Sequence, residues 1–256
     1  MNGTSSIMHG DRTVVNSNTV NMQGSAIEIH GLKKSFGLKP ILRGIDLTLL
    51  KGERMALLGA NGTGKTTLLR ILAGLTRPNA GSVSIEGLDS EQYAQQTRHL
   101  VGFVAHQPYL YEELTALENL LFFARMYTVA NPQERARELL QRVGLERRTH
   151  ERVSTFSRGQ LQRLSWARAL LHVPHLLLLD EADTGLDQQG HELINALLAE
   201  HTAHNGSTLF TTHQLERALA DSDKIVLLSG GHVTYQGETK ALTLDTLQQI
   251  YREVTQ

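Results

Sequence analysis

The sequence contains no cysteine. Disulfides and thiolate metal sites are therefore excluded, and the composition suits a reducing compartment. It also lacks an apolar run of membrane-spanning length. Its apolar runs, such as Leu176 to Leu179, fall far short of the ~20 residues a bilayer requires. No charged stretch followed by an apolar one opens the chain, so no signal peptide is read there. Histidines are plentiful but scattered, and no His-Glu-x-x-His pair marks a zinc site. Acidic and basic residues are mixed throughout and nearly cancel, to a formal net charge of −1. With no basic block, nucleic acid is not an expected partner. There is no internal repeat. If the chain serves a membrane process, another chain supplies the membrane.

What is present is organised around Gly59-Ala60-Asn61-Gly62-Thr63-Gly64-Lys65-Thr66-Thr67. This stretch fits the Gly-x-x-x-x-Gly-Lys-Thr phosphate-binding loop. A short apolar run, Arg54 to Leu58, precedes it as a buried strand would. Thr67 to Ala73 follows with helical character, and Gly74 is its stop. Glycines let the backbone turn and bring N–H groups against phosphate oxygens. The opening helix adds unpaired N–H donors and the positive end of its dipole. In such a loop Lys65 reaches the β- and γ-phosphates and the Thr66 hydroxyl ligates Mg²⁺.

With 256 residues the chain has room for one large domain or two small ones. Residues 1–25 are rich in Asn, Ser, Thr and Gly and read as a disordered tail. Strands are expected at 26–30, 41–50, 54–58 and 81–87, giving a small antiparallel sheet beside the nucleotide site. Residues 88–165 read as a mainly helical insertion that includes a buried strand at 100–105. Within it, Thr115 and Glu118 have capping-box spacing, and Pro132 opens a helix closed by Gly144. Strands at 175–180, 208–212, 224–228 and 232–236 alternate with helices at 188–201 and 214–220, a pattern of parallel βα units. A terminal helix, 242–254, has apolar positions Leu244, Leu247, Ile250 and Tyr251 for docking.

The apolar strand before Asp180-Glu181 adds the second half of the chemistry. An apolar strand ending in a carboxylate is how a phosphate-loop protein holds Mg²⁺ from the other side. Asp180 takes that role, and Glu181, one residue on, is placed as general base for the attacking water.

Upstream of that strand, Phe156-Ser157-Arg158-Gly159-Gln160 resembles the signature sequence of ATP-binding cassette (ABC) ATPases, commonly Leu-Ser-Gly-Gly-Gln. The order of parts is similar as well: phosphate loop, Gln107, signature, Asp180-Glu181, Thr184-Gly185-Leu186-Asp187 and His213. The resemblance covers residues 26–237. It implies an α/β fold of the P-loop NTPase class: a parallel-sheet core, an antiparallel β subdomain and a helical signature subdomain, with 238–256 as a C-terminal helix. It also implies residue roles. Phe36 matches the aromatic that stacks on adenine, with a core phenylalanine as the alternative. Gln107 contacts Mg²⁺ and senses a membrane partner. Ser157 and Gly159, with Gln160, match the groups that meet the γ-phosphate held by an opposite subunit. Asp187 belongs to a dimer-crossing loop. His213 contacts the γ-phosphate and helps position the water. Glu181, His213 and Lys65 thus form the catalytic set, with Thr66, Gln107 and Asp180 around the metal.

Two departures stand out. Arg158 replaces the first signature glycine, where it crowds the nucleotide or reaches a phosphate, and Ala182 replaces the proline after the glutamate, leaving that loop less rigid. Neither removes a reacting group. The resemblance further implies an ATP-dependent head-to-tail homodimer, ATP and Mg²⁺ as ligands, and a transmembrane permease in a separate chain. It places this chain peripherally on the cytoplasmic face of the cell membrane. The stretch Gly102 to Leu120, the Phe156-Ser157-Arg158-Gly159 signature and Asp183 to Asp187 are most similar to the ATP-binding subunit of the haem exporter used in cytochrome c maturation. ATPase subunits of drug, lipid or polysaccharide exporters are the alternative, followed by a soluble non-transport cassette ATPase. Tyr109 and Tyr111, after Gln107, read either as a patch for a membrane subunit's helix or as ordinary packing.

Overall fold

The computed structural model describes residues 24–255, so the tail expected over residues 1–25 lies almost wholly outside the described residues. In chain order, strands β1 (Ser25–Phe36) and β2 (Lys39–Leu50) form a hairpin. Strand β3 (Arg54–Leu58) leads into the glycine-rich loop and helix α1 (Lys65–Leu72). Then come β4 (Ala80–Ile85), β5 (Leu88–Asp89), α2 (Ala94–Leu100) and β6 (Val101–Val104). Three helices follow: α3 (Ala116–Met126), α4 (Pro132–Arg142) and α5 (Arg158–Leu170). The last third runs β7 (Leu176–Asp180), α6 (Gln188–Ala203), β8 (Ser207–Thr211), α7 (Leu215–Asp221), β9 (Lys224–Ser229), β10 (His232–Glu238) and α8 (Leu244–Thr255).

Two sheets result. The smaller is antiparallel, in the order β2-β1-β4-β5. Its register puts Ile27 opposite Leu49 and Ile85, and Ile29 opposite Leu47 and Val83, so alternate residues build one apolar face. The larger runs β10-β9-β3-β8-β7-β6. All its pairs are parallel except β9 with β10.

The four leucines of β7 are all buried because this sheet is covered on both faces. Leu176 and Leu178 point with Met55, Leu57, Val226 and Leu228 toward the antiparallel sheet and α1. Leu177 and Leu179 point with Ala56, Leu58, Ile225 and Leu227 toward the helices. The loops that carry the glycine-rich sequence, Asp180-Glu181 and His213 emerge from the carboxyl ends of β3, β7 and β8, where open α/β sheets bind ligands.

β10 departs from the parallel reading of the last third. Gly230 and Gly231 connect it to β9 with φ of 56° and 84°. Two central residues at positive φ close a tight hairpin, whereas a parallel crossover needs a dozen residues or more. The strand expected at 100–105 is β6, an edge strand paired with β7. α3, α4 and α5 pack against one another beyond it, around Leu120, Ala124, Leu139, Leu140, Leu164 and Trp166. The capping box forms as the spacing predicts: Glu118 N–H donates to Thr115 Oγ1 (3.2 Å), and Thr115 N–H donates to Glu118 Oε2 (2.8 Å). α8 docks through Leu247, Ile250, Tyr251 and Val254. Among the described residues, no helix is long and apolar enough to cross a membrane.

Candidate functional site

The loop after β3 is shaped by two glycines that no other residue could replace. At Gly59 an added Cβ would lie 2.3 Å from the Leu228 carbonyl oxygen. At Gly64, with φ 110°, it would lie 2.6 Å from Leu42 Cδ2. Gly64 caps α1 without a side-chain hydrogen bond, which leaves the first N–H groups of the helix free for an anion. Asn61 and Gly62 are exposed at the loop's crest. Thr63 Oγ1 donates to the Ala60 carbonyl (2.9 Å), and Thr67 continues the helix. Lys65 is buried, and its Nζ donates to the Gly59 (2.7 Å) and Ala60 (3.0 Å) carbonyls. Burial holds its pKa below the usual lysine value, with Glu181 and then Asp180 opposing that shift.

The carboxyl end of β7 supplies the acids. Asp180 is buried and accepts a hydrogen bond from Thr211 Oγ1 (3.0 Å). The same hydroxyl accepts from the Glu181 backbone N–H (3.0 Å). Thr211, at the end of the adjacent strand β8, therefore ties both carboxylates to the sheet. Glu181 sits at φ 51°, a conformation uncommon for a residue with a Cβ. Its Oε1 is the hydrogen-bond partner of His213 Nε2. Ala182 turns the chain next, and its carbonyl accepts from both Gln162 Nε2 (2.8 Å) and Trp166 Nε1 (3.1 Å).

Thr66, Arg70, Ala105, His106, Gln107, Asp180 and Glu181 line one cavity of about 400 Å³. The structure thus gathers the phosphate loop's threonine, the glutamine and the two acids from three separate parts of the chain. Ser157, Gly159 and Gln160 do not line it.

Ser157 instead caps α5, with Gln160 N–H donating to its Oγ (3.3 Å) and Ser157 N–H donating to Gln160 Oε1 (2.9 Å). The Gln160 side chain is thus engaged in a capping box. At Gly159 a Cβ would come within 2.9 Å of the Gly185 carbonyl oxygen. Arg158 lies over Gly185, and its Nη2 is 3.4 Å from His106 Nδ1. Asp187 is the N-cap of α6, accepting from Gly190 N–H (2.8 Å). Phe36 is no core residue: it is 55% exposed at the β1–β2 turn, with Lys34 Nζ 5.0 Å from its ring centroid.

Sequence reasoning missed Thr211, Gln162, Trp166 and the Asp183–Arg217 ion pair. Thr211 and Trp166 carried faint signals. The first stands in the Thr-Thr-His run, and the second is the only tryptophan of the chain. Gln162 and Arg217 looked like ordinary helix-surface residues.

Comparison with known proteins places this arrangement. The family description "ABC transporter" matches residues 42–184. The chain is 39% identical over 208 residues to the ABC transporter ATP-binding protein YdbJ of Bacillus subtilis, covering 81% of this chain and 67% of that one. It is 36% identical over 219 residues to the Nod factor export ATP-binding protein I of Rhizobium meliloti, covering 85% and 65%. The match thus spans about two thirds of the length of these relatives. A solved dimeric ATP-binding cassette in a post-hydrolysis state, bound to ADP and Pi, superposes with a TM-score of 0.76 at 28% identity, over 84% of this chain and all of that one. With a matching family profile, matching relatives and a matching fold, the chain belongs to the ABC transporter family, as an ATP-binding subunit.

Proposed function

We propose that this chain hydrolyses ATP to drive a membrane exporter, working as an ATP-dependent head-to-tail dimer bound peripherally, on the cytoplasmic side, to a separate permease chain. The carrying observation is the division of the site. The phosphate loop, Gln107, Asp180 and Glu181 meet at one cavity, while Ser157 and Gly159 at the start of α5 stand outside it. A site that needs both halves takes the second from another copy.

In the reaction, water attacks the γ-phosphorus, the bond to the β–γ bridging oxygen breaks, and ADP and phosphate leave. Glu181 takes the water's proton and His213, paired with it, orients the water and γ-phosphate. Lys65 exchanges its two carbonyl partners for phosphate oxygens. Phe36, exposed and beside Lys34, is available to the adenine ring. The residues also fit Mg²⁺. The Thr66 hydroxyl, Gln107 carbonyl and Asp180 carboxylate are hard oxygen donors around one cavity, a sparse set that suits an ion shared with substrate phosphates. Bound there, it would neutralise charge developing on the transferred phosphoryl group.

A groove of about 710 Å³, lined by Tyr109, Tyr111, Phe123, Met126, Arg168 and His172 among others, supports the permease contact. Tyr109 is packed near Phe103 (6.1 Å between centroids) and Arg168 (5.9 Å from the ring centroid). Tyr111 is 46% exposed and stacks edge-on with Phe122 at 4.9 Å. Tyr111 is thus the better candidate of the two for a partner's helix.

For cargo, haem export rests on the resemblance of Gly102 to Leu120, the Phe156–Gly159 signature and Asp183 to Asp187, and the relative above named for a cargo is named for Nod factor. Staining cells carrying Glu181→Gln for covalently bound c-type cytochromes separates the two. Loss of the bands with apoproteins still made supports haem export, and normal bands direct attention to other cargoes.

Complementation tests the composite site. Lys65→Ala and Ser157→Arg subunits are each inactive, but a mixture forms heterodimers with one intact site and recovers ATPase activity. A mixture as inactive as its parts would refute the head-to-tail reading.

A further inference from the structure

We propose that Arg217 is a positioning residue for ATP hydrolysis, holding the 181–183 loop through Asp183 so that Glu181 stays paired with His213. The inference rests on the reading of Glu181 as general base.

The loop has reason to need holding. Glu181 adopts φ 51°, and such residues persist where their surroundings over-determine them. The next residue, Ala182, has no ring to restrict the backbone. Three flanking anchors compensate. Thr211 Oγ1 accepts the Glu181 N–H, Gln162 and Trp166 donate to the Ala182 carbonyl, and Arg217 Nη1 donates to Asp183 Oδ2.

The last anchor differs in what it connects. Thr211 belongs to the sheet and Gln162 and Trp166 to α5, but Arg217 lies in the first turn of α7, four residues after His213. Asp183 lies two residues after Glu181. The segment following β7 is thus joined to the segment following β8 twice: Glu181 to His213, and Asp183 to Arg217. Two links fix the relative position of two segments where one leaves a pivot.

The second link is built to be firm. Asp183 and Arg217 side chains are only 22% and 23% exposed, against 34% and 45% for Glu181 and His213. Arg217 Nε also donates to Asp221 Oδ2 (3.2 Å), one turn on along α7, which fixes the guanidinium on its own helix. Asp221 in turn lies 4.0 Å from Arg54 Nη2 at the start of β3, the strand that leads to the phosphate loop. The pair therefore sits in a charge network that runs from the 181–183 loop along α7 to the start of β3. Misplacement of a reacting group by about 1 Å costs on the order of 100-fold in rate.

The test is steady-state ATPase kinetics on the full chain, with ATP affinity and thermal unfolding measured alongside. Arg217→Ala and the near-isosteric Asp183→Asn should each lower kcat about tenfold or more while KM and the ATP Kd stay within about twofold, because the binding half of the site is untouched. The double variant Arg217→Ala with Asp183→Asn should be no more than about threefold slower than either single variant, because both remove the same link. Should Arg217→Ala fail to fold, Asp183→Asn carries the test. A kcat within twofold of wild type in the single variants, a loss confined to ATP affinity, or losses that multiply in the double variant would overturn the proposal. Glu181→Gln is the control for the underlying reading. If it turns over normally, the base assignment fails. If it is inactive while Arg217→Ala is normal, only this inference fails.

Discussion

The Ala182 carbonyl gives the sharpest stability prediction. It is buried next to Glu181 and accepts two hydrogen bonds, from Gln162 and from Trp166. Trp166→Phe removes one donor but leaves the oxygen paired with Gln162. The lost bond contributes ~1 kcal/mol net. The indole is 1% exposed, so replacing it with phenyl also leaves a void. Roughly 40 Å³ at about 24 cal/mol per Å³ adds another ~1 kcal/mol. The total of ~2 kcal/mol corresponds to a Tm drop of roughly 4–8 °C for a domain of this size. Gln162→Leu alone should cost less, about 1 kcal/mol, since leucine suits a buried site. Combining the two strands the oxygen without any donor, and that desolvation adds ~1–3 kcal/mol beyond the sum. Urea unfolding of the four proteins gives the coupling energy. Additivity within about 0.5 kcal/mol would refute the shared-acceptor argument.

Other outcomes follow from single features of the structure. His172 is pushed down to about 4, chiefly by burial, with the Val101 carbonyl opposing. Its unfolded value is near 6.5, so the unfolded chain binds the extra proton first. The neutral form's stability is fully present above pH 6.5 and is lost as pH falls toward about 4, by up to ~3 kcal/mol; His172→Gln should flatten that part of the stability–pH curve. Asn119 is wholly buried and bonds both the N–H and the carbonyl of Tyr111, at 2.8 and 2.9 Å. Asn119→Leu should destabilise by ~2–4 kcal/mol in urea titration and loosen the Tyr111 loop, which limited proteolysis would reveal. Gly64→Ala meets both φ 110° and Leu42 at 2.6 Å, so nucleotide binding measured by fluorescence should fall more than tenfold while Gly62→Ala, with open space around its Cβ position, falls less.

What was legible in the sequence is what a short stretch determines by itself. The phosphate loop, the Leu176–Asp180 strand and the Thr115–Glu118 capping box all rest on spacing within a few residues, and all formed as the spacing predicts. The Gly230-Gly231 hairpin was equally local, but a regular alternation of strands and helices before it suggested one more parallel strand. Residue type alone left Phe36 with a core alternative, which its exposed place at the β1–β2 turn removes. The anchors around Glu181 were not legible for a different reason. Thr211, Gln162 and Trp166 reach Glu181 and Ala182 across 16 to 30 residues of chain, from elements whose mutual packing no periodicity encodes. Arg217 was hidden in the same way, 34 residues from Asp183.

The most direct test of the central claim is the oligomeric state and turnover of Glu181→Gln with ATP and Mg²⁺, measured by size-exclusion chromatography and phosphate release. Negligible phosphate release and a stable ATP-bound dimer are expected of the variant, while the wild-type chain hydrolyses its ATP and returns to monomer. Phosphate release at the wild-type rate would remove Glu181 as the base. An inactive variant that binds ATP yet stays monomeric would contradict the two-copy site itself.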